Sequence, residues 1–166
     1  GIPSLGTIGT QNTHVVTITD DDTASFAFQA ATSTVAEGAG NAAGNLAMTT
    51  TPAGATLAVN ATVQVCSANV SATAGADYTA LVGQTVTFTA GQTSGALQPA
   101  TVAITQDALI EGPEPLRLTV STPSLGTLGG QTTNDLTVTD DEAPVSVAFA
   151  AATRATATAI TRHPAI

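Results

Sequence analysis

Apolar residues alternate with small or polar ones in short runs along most of this chain. The pairs are Phe26 and Phe28, Leu46 and Met48, Val63 and Val65, Val86 and Phe88, and Val102 and Ile104. Leu116, Leu118 and Val120 continue the series, followed by Leu136 and Val138. Successive side chains on a strand point to opposite faces, so each run predicts a strand with one face buried. No stretch carries the i, i+3, i+4 stripe with caps that a helix requires. Short strands separated by Gly-, Pro-, Asn- and Asp-rich turns predict an all-β fold, a seven-stranded antiparallel β-sandwich. The turns have their own logic. Glu37-Gly38-Ala39-Gly40-Asn41 supplies positions tolerant of positive φ. Gly112-Pro113 prevents a helix between Glu111 and Glu114, and Pro52, Pro115 and Pro123 fall at expected strand ends.

The alternation is itself repeated. PSLGTIGTQNTHVVTITDDD, from Pro3, returns as PSLGTLGGQTTNDLTVTDDE from Pro123, an offset of 120 residues with twelve of twenty positions identical. Ser25-Phe26-Ala27-Phe28 recurs as Ser146-Val147-Ala148-Phe149, with one residue inserted. A period this long marks a domain in a tandem array, since solenoid and propeller repeats run at roughly 20–50 residues. The chain divides accordingly: 1–22 as the terminal strand of a preceding repeat, 23–142 as a complete domain, and 143–166 as the first strand of a following repeat plus a tail. Gly1 falls inside a repeat, which predicts further chain upstream. Val16 and Ile18 alternate on the first segment, and a lone strand seeks a sheet edge, in its own chain or a neighbour's. Thr153 to Ile166 departs from the repeat and reads as a tail.

Composition narrows the function. Apolar residues make up 43% of the chain but include no Trp, one Tyr and four Phe, which predicts a thin aliphatic core. Only three residues are Lys or Arg, all of them Arg, and the net charge is −9. Nothing here could neutralise phosphates, so nucleic acid is excluded as a partner, and an anionic membrane surface is disfavoured. The longest apolar runs fall far short of a bilayer span, so no membrane insertion is expected. Cys66 is the only cysteine, which excludes a disulfide within the chain and reads as a small buried residue at a strand end. Abundant Thr, Ala and Gly with few aromatics point to a bacterial protein at the cell surface or outside the cell.

Against this sparse charge the acidic residues stand out. Eleven of the twelve fall into tight sets: Asp20-Asp21-Asp22, Glu37, Asp77, Asp107 with Glu111 and Glu114, and Asp140-Asp141-Glu142. Asp135 alone stands apart. The sets lie between alternating runs, where a sheet protein has its loops. Oxygen-only clusters suit a hard cation such as calcium and suit zinc or copper poorly. No Lys is present to neutralise them. His14, expected in a strand, and His163, in the tail, have no partner for a transition-metal site. No Ser–His–Asp set, Cys–His pair or phosphate-binding loop is present, so the chain is not expected to be an enzyme. Thr-x-Thr runs such as Thr85-Val86-Thr87 read as the solvated side of strands.

Several motifs occur in a set order. Val35-Ala36-Glu37 precedes Ala74-Gly75-Ala76-Asp77-Tyr78 and Val86-Thr87-Phe88-Thr89-Ala90-Gly91. Asp107 through Glu111-Gly112-Pro113-Glu114 comes next, and Asp140-Asp141-Glu142 closes the unit. This string resembles the Calx-β domain, found in the regulatory region of sodium–calcium exchangers, in an integrin tail and in many large bacterial surface proteins. The resemblance implies an immunoglobulin-like sandwich with calcium held by acids at one end. It assigns Glu37, Asp77, Asp107, Glu111, Glu114, Asp140, Asp141 and Glu142 as ligands, and Asp20, Asp21 and Asp22 to the preceding repeat's site. Gln106 stands where exchanger domains carry an Asp, and Gly112-Pro113 replaces further acids. Roughly one or two ions per repeat are therefore expected.

The expected role is a structural or adhesive repeat whose partners are neighbouring repeats or subunits of the same protein, with calcium stiffening their junction. Two other roles fit the same features: a filament subunit that donates its N-terminal strand, and a calcium-sensing regulatory domain.

Overall fold

The computed structural model describes residues 5–7 and 9–149. Nine strands form: β1 Thr23–Phe28, β2 Thr32–Ala36, β3 Asn41–Thr51, β4 Ala61–Asn69, β5 Gln84–Phe88, β6 Leu97–Ala103, β7 Glu114–Ser121, β8 Thr127–Leu128 and β9 Thr133–Thr139. They build a four-stranded sheet in the order β6-β3-β1-β8 and a five-stranded sheet in the order β2-β9-β7-β4-β5. The only helical element among the described residues is a 3-10 turn, Glu37–Ala39.

Each of the seven alternating runs lies on its own strand, with Ile104 one step past β6. The count of seven is corrected to nine. After Phe28 the chain leaves the first sheet and enters the second, so the first predicted strand continues as a separate β2. That strand has no buried residue, so no apolar alternation marked it. β8 is only two residues long. The sandwich is also not wholly antiparallel, because β1 pairs with β8 and β2 with β9 in parallel. Asn134 fixes the crossover. Buried on β9, it donates through Nδ2 to the Ala30 carbonyl at 3.0 Å and accepts from Ser33 Oγ at 2.8 Å.

The inward faces meet in one core that includes Phe26, Leu46, Met48, Val63, Phe88, Leu116 and Leu118, none of them exposed. Phe26 and Phe88 bridge the two sheets with ring centroids 4.9 Å apart. Thr85 and Thr87 face solvent on β5, as the alternation predicted. Cys66 does not behave as predicted. It follows inward-facing Val63 and Val65 in the period-two pattern, points outward, and accepts a hydrogen bond from the Gly83 amide at 3.3 Å.

The two flanking segments form no strand among the described residues, contrary to expectation. Val16 and Ile18 are 74% and 92% exposed, and His14 is exposed as well. β9 already occupies the place between β2 and β7 that the first segment's counterpart would take, so the domain has no vacancy for it. Val147 and Phe149 are likewise fully exposed, without a neighbouring strand. The tail from Thr153 lies outside the described residues.

Candidate metal centre

Register brings the acids together. β2 and β9 run in parallel with Ala36 opposite Thr139, so the next residues, Glu37 and Asp140, emerge side by side at one end of the sandwich. β7 enters at the same end, with Glu114 opposite Val138. Asp77 arrives on a tight turn: its backbone N–H and that of Ala76 donate to the Thr73 carbonyl, and Asp77 Oδ2 accepts from the Thr73 amide at 2.6 Å. The adjacent Tyr78 is buried, and its hydroxyl donates to Asn69 Oδ1 at 2.7 Å, which also accepts from the Ala74 amide.

Six of the eight predicted ligands gather into two triads. Glu37, Asp140 and Glu142 form one, and Asp77, Glu111 and Glu114 the other; within each, carboxylate oxygens lie within 4.8 Å of one another. Five of these six, with Gly112 and Val138, line a single pocket. Asp107 and Asp141 lie outside the two triads and are tied to their surroundings by hydrogen bonds. Asp107 donates its backbone N–H to Glu37 Oε1 at 2.9 Å, and its side chain accepts from the Leu109 amide at 2.7 Å. Asp141 Oδ1 accepts from Gln106 Nε2 at 3.0 Å. Asp20, Asp21 and Asp22 form an exposed triad at the opposite end, beside Thr23, which pairs with Thr51 at the far end of β3.

The sequence marked Gln106 only as a missing acid. Its Nε2 reaches Asp141 Oδ1, Glu142 Oε1 and the Asp107 carbonyl, each at 3.0 Å, so a neutral amide ties the β6–β7 loop to the chain leaving β9. Gly38 was also missed as a site residue. A Cβ there would sit 2.5 Å from Asp141 Oδ2, so any larger residue would push the Asp141 carboxylate aside. The Glu-Gly-Ala-Gly run signalled a turn but not this contact.

The electrostatics is unrelieved. Glu142 is pushed up from 4.5 to about 6, first by its hydrogen bond with Asp140, then by loss of solvent and by the charges of Asp141, Asp140 and Glu37. Glu114 is raised by loss of solvent first, then by the charge and hydrogen bond of Asp77. Glu111 is raised by desolvation and then by the charges of Asp107 and Asp77. Arg117 offers no relief, because it forks onto Asp135 at 2.7 and 2.9 Å on the outer sheet face, and this pairing lowers the Asp135 pKa. Among the described residues, the one acid outside the sets is thus the one with a cationic partner.

The residues fit a hard cation. With both carboxyls ionised, Asp140 Oδ1 and Glu142 Oε2 are buried with no hydrogen-bond donor, although buried polar atoms normally have one. The donor set is entirely oxygen, as calcium prefers.

Two facing sheets with a carboxylate-lined pocket at one end define an acid-tipped immunoglobulin-like module. The family model for the Calx-beta domain matches residues 19–147, well over half of the chain, and the chain belongs to that family. Among solved structures it is similar to the apo form of the Calx CBD1 domain, with a TM-score of 0.61 and 19% identity over 72% of this chain and 99% of that one. It is also similar to CBD12 from CALX1.2, with a TM-score of 0.59 and 21% identity over 70% of this chain, spanning 45% of that longer one. The Calx CBD2 domain matches with a TM-score of 0.57 and 14% identity, over 70% of this chain and 86% of that one. At these identities the likeness concerns the fold. No curated protein matches the sequence.

Proposed function

We propose that this domain binds calcium at its acidic end and serves as a non-catalytic repeat of an extracellular, adhesive or structural protein, with the ion stiffening the junction to the next repeat. One observation carries this reading: two carboxylate triads from four chain segments converge with two buried, donorless oxygens, while Arg117, the one Lys or Arg among the described residues, is held by Asp135 instead. Glu37, Asp140 and Glu142 would hold one ion and Asp77, Glu111 and Glu114 another, in keeping with the expected number. Calcium would supply counter-charge, replacing carboxylate repulsion with coordination. Because Asp140 to Glu142 lead directly out of the domain, an ion held there joins the sandwich to its exit chain.

The likeness to a structure described as a calcium binding domain of CALX1.1 supports the metal assignment. The stalk reading is preferred over strand donation because β9 already fills its own place in the sheet. Isothermal titration with calcium tests the proposal. Millimolar or tighter binding that is lost in Glu37→Gln together with Glu114→Gln supports it, and absence of binding by the intact chain overturns it.

A further inference from the structure

Outside the acidic end, the most built feature of the surface lies at the opposite end. Here Asp20, Asp22, Leu57, Ala58, Val59 and Leu125 line a groove of about 270 Å³. Val59 is 59% exposed and Leu125 41%, while Leu57 beneath them is buried. The acidic end carries a second exposed apolar pair, Leu109 and Ile110, at 59% and 50%. Their loop is fastened beside the chain exit, because Gln106 bonds to Asp141 and Glu142, and Asp107 binds the Leu109 amide.

We infer that these two patches are halves of one contact: Leu109 and Ile110 of one repeat seat in the Leu57–Val59 and Leu125 groove of the next. The internal repeat sets the distance. Thr19 is the counterpart of Thr139, the last residue of β9, and β1 begins at Thr23. Only Asp20, Asp21 and Asp22 separate the two domains, and three residues reach about 10 Å at full extension. The acidic end of one repeat therefore abuts the groove end of its successor. Asp20 and Asp22 already form one wall of that groove, so the incoming chain arrives at its rim. Burying four exposed aliphatic side chains there favours a single orientation, whereas bare domain junctions move freely. The inference rests on the tandem reading of the chain and not on the metal.

The test uses residues 1–142 followed by a second copy of 23–166, with spin labels on the exposed Cys66 of each copy. Pulsed dipolar spectroscopy reads the spread of label–label distances. Leu109→Ser with Ile110→Ser in the first copy is expected to broaden that spread about twofold, as is Val59→Ser with Leu125→Ser in the second. Because both pairs act on one contact, all four changes together should broaden it no further than either pair alone. An unchanged spread in both variants, or broadening that adds, overturns the inference. The measurement is repeated in chelator: broadening by the variants there supports the apolar seat even if calcium fails to bind.

Discussion

Glu142 displays the chemistry of the acidic end most directly. Its carboxyl is pushed to about 6 beside Asp140, and Glu111 and Glu114 move in the same direction. A carboxyl with a higher pKa folded than unfolded binds protons preferentially in the folded state. The stability it contributes is therefore present below about 4.5 and is lost as pH rises through 6. Without divalent cations the chain is expected to melt higher at pH 5 than at pH 7 by circular dichroism. Millimolar calcium should shrink or reverse that difference, since coordination needs the carboxylates deprotonated. Identical melting at both pH values without metal would mean the acids lie apart in solution. Gly38 gives a second residue-scale prediction. Gly38→Ala drives a methyl against Asp141 Oδ2 and disturbs the Gln106 brace, so titration calorimetry should show about tenfold weaker calcium binding, as for other supporting residues around metal ligands.

At the scale of elements, the parallel pairing of β2 with β9 does most to make the site, and it was the least legible part of the sequence. The seven runs were readable because their inward residues are Phe, Leu, Val, Ile and Met against small or polar neighbours. β2 was not, because Thr32 to Ala36 lies on a sheet edge with nothing buried. The acids were conspicuous in a chain so poor in charge. Their division into two triads was hidden, because it depends on the Ala36–Thr139 register and on Gln106, neither of which composition signals. Asn134 holds that register from beneath. Asn134→Ala strands the Ala30 carbonyl and the Ser33 hydroxyl and should cost about 1–3 kcal/mol in urea unfolding. A cost near zero would show that the crossover is fixed elsewhere. Because β2 leads directly into Glu37, the same change should also weaken calcium binding.

For the molecule as a whole, the two ends of the sandwich have different work. One gathers carboxylates around the exit of β9, and the other presents an apolar groove where the preceding segment enters. Sequence repetition pointed to a modular plan, and the flanking residues that the structure describes form no strand. If calcium holds the acidic end together, thermal melting of the intact chain shows it. With sites of about 10⁻⁴–10⁻³ M affinity, 10 mM calcium should raise Tm by about 5–10 °C relative to chelator. Most of that rise should vanish in Glu37→Gln together with Glu114→Gln, which removes one ligand from each triad. An unchanged Tm in the intact chain, or a rise that survives both substitutions, would contradict the account.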